Sequence, residues 1–479
     1  MSIVSYRSHF GHFAMDNSYD LVVIGSGPAA EKGAAQAAYF GKRVALIEKE
    51  TRFGGAAANT GTLPSKTLRE TAVQLSGFRA RGLYGVDLSL RRNATVQDFL
   101  VRERQVKASE QERIETNLAR HSIDTFRGVG SFVNPHCIRV TAADGSHQDL
   151  NAQFVLIATG SSPRPLDIFP LDDPRVWDSD EILNLEFMPR RLTVVGGGVI
   201  GSEYACLFAA LGVEVSLIDG RETLLGFLDP EISSALTNSM QKLGIKLLMS
   251  ERVAGCEAQD EHVVVSLESG RSLEADAVLI AAGRISNVGL LALENAGVKP
   301  GHRGLLDVNE VYQTEVPHIY AAGDVIGFPA LASTSMEQAR LAMVDAFELD
   351  YKKEVAPILP YGIYTIPEAS MAGESEASLA EQGVDYVVGR ASYAQNARGQ
   401  IIGDEEGFLK LIYRVEDMRL VGIHVVGEIA SELVHIGLTA MMMDATNQLF
   451  IRTCFNYPTL GELYKYATYD AMGNLQKRN

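Results

Sequence analysis

Residues 20–50 read DLVVIGSGPAAEKGAAQAAYFGKRVALIEKE, and the order of residue types in that stretch decides the fold. A short apolar run, residues 21–24, predicts a buried parallel strand. Gly25, Gly27 and Ala30 follow as G-x-G-x-x-A, with Pro28 at the first helical position. Ala34, Ala35, Ala37 and Ala38 carry the turn into a helix small enough to lie close on a sheet, and Gly41 ends it. Residues 44–47 predict the next strand, with Glu48 and Lys49 at its end. The first glycine permits the tight turn, the second lets backbone approach a pyrophosphate, and the small third residue lets helix and strand pack. The helix start offers N–H groups and a positive dipole end to the anion, and Glu48 is placed to accept from ribose hydroxyls.

The pattern occurs twice. Residues 191–221 read RLTVVGGGVIGSEYACLFAALGVEVSLIDGR, with Gly196, Gly198 and Gly201 after an apolar run and Asp219 closing the next one. Gly25 to Gly196 and Glu48 to Asp219 share one offset, 171 residues. Two fingerprints in one register imply two dinucleotide sites, one for FAD and one for NAD(H) or NADP(H). Residues 155–160 (VLIATG, with Thr159 and Gly160) and 278–283 (VLIAAG, ending at Gly283 before Arg284) are apolar strands ending in a turn of small residues. Residues 319–327 (IYAAGDVIG) predict a strand that ends at Gly323 and presents Asp324 to the ribitol hydroxyls of a flavin, the alternative being a helix N-cap.

The expected architecture is therefore α/β: two Rossmann-like dinucleotide-binding domains, for FAD and NAD(P), plus a C-terminal α+β domain. Residues 1–18 form a tail, with Met15 a second candidate start. Residues 19–163 and 288–350 form the FAD-binding domain, 164–287 the NAD(P)-binding domain, and 351–479 the C-terminal domain, with strands near 386–388, 408–413 and 420–426 and helices near 430–450 and 460–473. Residues 99–121 predict a polar, solvent-facing helix.

Composition narrows the function classes. The 479 residues exceed one core, and 46% are apolar. A net charge of −17 argues against a nucleic-acid partner. Cys137, Cys206, Cys256 and Cys454 have no disulfide-framework or zinc-site spacing, so neither a metal nor a cystine is expected. No apolar run reaches about 18 residues and the N-terminus has no signal-peptide core, so the expected location is the cytoplasm, with no membrane partner.

Together with GTLPSK (61–66), WDSDEIL (177–183), LLGFLDPEIS (224–233), YQTEVPHIYAAGDVIGFPALAS (312–333), YGIYTIPE (361–368) and FNYPT (455–459), the two fingerprints resemble the two-dinucleotide disulfide reductase superfamily, which includes dihydrolipoyl dehydrogenase and glutathione reductase. Within it the match looks closest to the soluble pyridine nucleotide transhydrogenases. The resemblance implies Lys66 near flavin N5, paired with Glu203, and a symmetric homodimer in which Tyr457 and Glu462 face the partner's flavin. It also implies cofactor contacts at Gly55, at Val199, where some relatives carry a gating tyrosine, and at Ala332. Two departures stand out. The redox-cysteine positions hold Ala57 and Thr62, and the acid–base histidine position holds Tyr457, with Glu462 retained. The transhydrogenases usually keep the first of those cysteines. Dithiol chemistry is absent at both ends.

Asp219 favours NAD(H), since a carboxylate repels the 2′-phosphate of NADP; Arg221 and Arg284 could offset it, or Arg221 could be a solvated surface residue. His435 reads as a buried, satisfied histidine, residues 441–443 (three methionines) as core or interface packing, and Glu432 as a cap or interface group. The leading functional reading is ping-pong hydride passage between NADPH and NAD⁺ through FAD, without a redox disulfide. The alternatives are an NAD(P)H-dependent reductase of a quinone or other specialised acceptor, and a flavin-bound redox sensor or scaffold.

Overall fold

A computed structural model describes residues 17–76 and 95–478; most of the expected N-terminal tail lies outside them. The chain divides into two compact units, 1–55 with 113–160 and 286–353, and 56–112 with 161–285 and 354–479.

In the first unit, Leu21, Val22 and Val23 are fully buried, as a strand covered on both faces must be. Strand Ser18–Ile24 lies between the parallel strands Val44–Glu48 and His147–Ile157. Asp124–Arg127 extends one side, Ile319–Ala321 pairs with His147–Ile157, and an antiparallel meander, Cys137–Thr141 and Val129–Asn134, completes the sheet. Helix Pro28–Tyr39 sits close on it. A Cβ on Gly33 would lie 2.5 Å from Leu156 Cδ2 and 3.4 Å from Ala339 Cβ of helix Ala332–Ala346.

The second unit holds a parallel sheet in the order Lys246–Met249, Glu214–Asp219, Arg191–Val195, Ala277–Ile280, Val176–Asp178. An antiparallel meander, Val253–Ala258, Val263–Leu267 and Ser272–Ala275, follows the first of these. A C-terminal antiparallel sheet runs Tyr361–Ile363, Glu368–Gly373, Leu420–Gly427, Phe408–Arg414, Tyr386–Ser392. Residues 56–112, expected in the first domain, count here because helix Thr62–Leu75 shares a core (Leu68, Ala72, Val73) with Tyr204, Leu207 and Phe208 of helix Val199–Ala210. The buried Lys410 ties the C-terminal sheet to residues 229–231: its Nζ meets Asp229 at 2.8 Å, Glu231 at 2.7 Å and Glu376 at 2.5 Å.

Three sequence expectations need correction. Helix Val96–Arg120 is not simply solvent-facing; Phe99, Leu100, Glu103, Ile114 and Leu118 bury one stripe of it. The helix expected near 430–450 is two, Ala430–Met442 and Gln448–Arg452, and the last helix runs Leu463–Gln476. His435 is exposed, because the buried stripe of its helix is Leu433, Val434, Gly437, Ala440 and Met441. Of the three methionines Met441 is core, while Met442 and Met443 are exposed, as is Glu432.

Candidate functional site

The first cradle is built by backbone constraints. Gly25 has φ +110°, its N–H donates to Ile47 O at 2.8 Å, and a Cβ there would sit 2.8 Å from the carbonyl carbon of Ala158 and closer still to its oxygen. Gly27 (φ −67°, ψ −175°) caps helix Pro28–Tyr39 without a side-chain bond, and Ala30 is fully buried beneath it. Gly55 (φ +56°) closes on this turn; a Cβ on it would be 2.7 Å from Gly27 Cα. Glu48 is buried and accepts from the Ser26 hydroxyl and, at 2.8 Å, from the N–H of Glu50. Lys49 is half exposed and pairs with Glu50 at 3.5 Å.

Around that turn, the Thr159 carbonyl accepts from Asn287 Nδ2 at 3.0 Å, while its buried Oγ1 has no hydrogen-bond partner among the described residues. Gly160 follows at φ +69°. The strand ends at Ala321, and Gly323 (φ +83°) opens a 3₁₀ turn, Asp324–Ile326. Gly323 N–H donates to Gln338 Oε1 at 2.9 Å, and a Cβ on it would be 3.4 Å from Ala29 Cβ, which sets Asp324 beside the head of the first helix. Ala332 heads helix Ala332–Ala346. A glycine-only approach to backbone N–H groups, an orphaned buried hydroxyl and a half-buried carboxylate fit an extended ligand with a pyrophosphate and a polyol, as FAD has. Sequence reading passed over Glu31, a buried first-turn carboxylate that accepts from Lys32 at 2.9 Å and Asn117 at 2.8 Å and meets Arg113 at 3.3 Å. Burial pushes its pKa up, but the bonds from Lys32 and Arg113 leave it below the usual carboxylate range.

The second cradle repeats the geometry. Gly196 has φ +106°, its N–H donates to Ile218 O at 2.8 Å, and a Cβ there would be 2.8 Å from the Ala281 carbonyl carbon. Gly198 (φ −75°, ψ −174°) caps helix Val199–Ala210. A Cβ on Gly201 would collide with the Gly196 carbonyl, so this position takes only glycine. The buried Asp219 accepts from Gly197 N–H at 2.5 Å and from Arg221 N, Nε and Nη2 at 2.8, 2.8 and 2.6 Å. Burial works against its charge, but the Arg221 and Gly197 bonds hold its pKa below the usual carboxylate range. Arg221 is thus not a loose surface cation. Arg284, after Gly283 (φ +105°), is engaged too: it donates to Ser161 Oγ and O at 2.8 and 2.7 Å and lies 3.7 Å from Asp180.

Between helices Thr62–Leu75 and Val199–Ala210, Lys66 Nζ meets Glu203 Oε2 at 2.6 Å, and Tyr364 N–H donates to Glu203 Oε1 at 2.9 Å. The Lys66 ammonium also sits 5.0 Å from the Tyr364 ring centroid. One turn on, the buried Arg69 pairs with Glu368 at 3.2 Å and donates to Thr365 O at 3.0 Å. Sequence reading named the first pair and missed Tyr364 and Arg69, whose partners lie far along the chain.

Ala57 and Thr62 lie on helices Gly55–Asn59 and Thr62–Leu75, and all four cysteines are unpaired. Burial pushes the Cys206 thiol up to about 12 and that of Cys256 to about 11, which keeps both protonated. Among the described residues no cluster of three or more metal-binding side chains occurs, and no helix is long and apolar enough to cross a membrane. Tyr457 is 75% exposed, with Glu462 half-buried in the following 3₁₀ turn.

The family model for pyridine nucleotide-disulphide oxidoreductases matches residues 19–340, and the model of their dimerisation domain matches 359–468. The soluble pyridine nucleotide transhydrogenase of Chromohalobacter salexigens is 43% identical over 96% of this chain and 99% of its own. That of Mycobacterium tuberculosis is 41% identical over 96% and 98%. Among solved structures, LpdA from Mycobacterium tuberculosis is similar at a TM-score of 0.86 and 28% identity, over 94% of this chain and 99% of its own. The HOCl-induced flavoprotein disulfide reductase RclA from Escherichia coli is similar at 0.85 and 26%, with the same coverage.

Proposed function

The chain belongs to the pyridine nucleotide-disulphide oxidoreductase family, and from that membership we propose that it catalyses FAD-dependent hydride transfer between NADPH and NAD⁺ without a redox disulfide. The observation that carries this reading is a pair of glycine turns with matching φ angles and hydrogen bonds, at Gly25 and Gly196, in a chain whose redox-cysteine positions are Ala57 and Thr62. Bound FAD supplies a centre that accepts a hydride from one nicotinamide and gives it to the other.

The chain's own residues do the rest. The N–H groups behind Gly27 and Gly198 hold the two pyrophosphates, and Glu48 and Asp219 orient the riboses. Asp324 binds the ribitol hydroxyls. Lys66 balances the negative charge that a hydride brings, and Glu203 keeps its ammonium in place. Val199, at the first turn of the second helix, leaves room for a nicotinamide where a larger side chain would fill it. One nucleotide must leave before the other enters, so the kinetics are ping-pong. Residues 19–163 with 288–350 are assigned to FAD, 164–287 to the nicotinamide nucleotide and 351–479 to a homodimer contact, with Tyr457 and Glu462 facing the partner. The relatives' names support a soluble protein, and the cytoplasm is the proposed location.

The test follows hydride from NADPH to an NAD⁺ analogue in the purified, flavin-loaded protein, with lipoamide, oxidised glutathione, a quinone and oxygen as competing acceptors. Fastest turnover of the NAD⁺ analogue is expected. Fastest turnover of a disulfide would overturn the reading.

A further inference from the structure

The two cations expected to accommodate a 2′-phosphate are both engaged. Arg221 gives Nε and Nη2 to Asp219, and Arg284 gives its fork to Ser161. A third arginine stands in the same corner. A Cβ on Gly220, between Asp219 and Arg221, would lie 3.2 Å from Arg252 Cγ and 3.3 Å from its Nε, so this side chain lies across the glycine. The main chain holds it there. Ser250 N–H donates to Arg221 O at 3.0 Å, Glu251 N–H to Asp219 O at 3.1 Å, and Glu268 N–H to Arg252 O at 2.9 Å. The neighbouring carboxylate, Glu251, is taken by Arg271 at 3.3 Å. Among the described residues the exposed Arg252 guanidinium forms no ion pair.

We propose that Arg252 recognises the 2′-phosphate of NADP(H), while Asp219, charge-balanced by Arg221, reads the ribose that NAD(H) and NADP(H) share. The proposal rests on reading the second cradle as the nicotinamide-nucleotide site. A guanidinium offers a phosphate a planar pair of donors, and a ribose hydroxyl uses neither its charge nor its fork. Gly220 is what lets the arginine reach across the end of the strand. The pairing of Asp219 with Arg221 removes the repulsion that a bare carboxylate would exert on the phosphate.

The test uses the flavin-loaded protein and two probes that differ by one phosphate, 2′-phospho-ADP-ribose and ADP-ribose, bound in a calorimeter. Arg252→Gln is expected to weaken the phosphorylated probe by about tenfold and flatten its salt dependence, with ADP-ribose changed by less than about twofold. Arg252→Lys should restore part of the loss. Gly220→Ala, which keeps the arginine but displaces it, should fall between wild type and Arg252→Gln. Equal weakening of both probes by Arg252→Gln would overturn the proposal, and so would a phosphate-selective loss that appears in Arg221→Gln but not in Arg252→Gln. Failure of the unaltered protein to bind either probe would instead overturn the assignment of the second cradle itself.

Discussion

The two cradles are alike in backbone and unlike in charge. Each acid reaches back to the middle residue of its own G-x-G: Glu48 to the Ser26 hydroxyl, Asp219 to the Gly197 N–H. Each also accepts the N–H two residues on, from Glu50 and from Arg221. There the likeness stops. Residue 50 is an acid with no bond to Glu48 beyond its backbone, while Arg221 clamps Asp219 with its fork. The position matching Glu203 is Lys32, which turns inward to Glu31, whereas Glu203 faces Lys66. On the proposed assignment, one cradle keeps an unbalanced acid for FAD. The other neutralises its acid, which suits a site that must take nucleotides with and without an extra phosphate.

The backbone half of that comparison breaks hardest. Gly25→Ala and Gly196→Ala each force a Cβ onto a carbonyl group at φ above +100°. Each should cost about 3 kcal/mol or more locally. Gly25→Ala should purify without visible flavin absorbance. Gly196→Ala should keep its flavin and lose nicotinamide-nucleotide binding, read by absorbance and calorimetry. Loss of flavin from both would show that the cradles do not act separately.

The charge half breaks next at Lys66. Lys66→Met leaves Glu203, whose side chain is 8% exposed, without its cation, at a cost of up to ~3 kcal/mol. It should also slow hydride transfer by about a hundredfold. Adding Glu203→Gln should recover the stability, seen in denaturant midpoints, but not the stopped-flow rate. Recovery of both would reduce the pair to a structural contact.

These effects also separate what the sequence discloses from what it conceals. The cradles are legible because their glycines answer to local geometry: Gly25 and Gly196 sit where only a left-handed residue fits, and the same 171-residue offset relates their hydrogen bonds. Lys66 and Glu203 come together through resemblance, not spacing. Arg252, Tyr364 and Arg69 are invisible because their partners arrive from elements distant in the chain. His435 misleads because an apolar neighbourhood in sequence is not one in space. Its helix buries the stripe through Leu433, Gly437 and Ala440, and position 435 points away from it.

A copy of the first cradle's charge onto the second is expected to act more mildly. Arg221→Glu should weaken NADH by about tenfold and NADPH by more, because Asp219 loses its clamp and the added carboxylate repels the 2′-phosphate. In the unaltered protein the pKa of Asp219 is depressed on folding, so its stabilisation is present above the ordinary carboxylate range and lost as pH falls through the lowered value. In Arg221→Glu that acid-side decline should shrink, because only the backbone bonds from residues 197 and 221 remain. Arg221 is half exposed, so the difference is less than about 1 kcal/mol. Urea midpoints taken stepwise from neutral to acid pH would show it. A parallel pair of curves would mean that Arg221 does not set the charge of Asp219.

The smallest effect tests whether the likeness of the cradles extends to side chains. Ser26→Ala removes the hydroxyl that donates to Glu48 and accepts from Gly54 N–H at 3.0 Å. Glu48 is 6% exposed, so one of its oxygens loses a partner that water cannot easily replace. The cost is about 1–2 kcal/mol, seen as a faster release of FAD on dilution into mild denaturant. The second cradle does the same work with a backbone N–H and a shorter acid, so Ser26→Gly with Glu48→Asp should hold FAD better than Ser26→Ala. If the double variant releases FAD faster than Ser26→Ala, the reach from acid to loop is set by side-chain length in each cradle, and the correspondence is one of backbone alone.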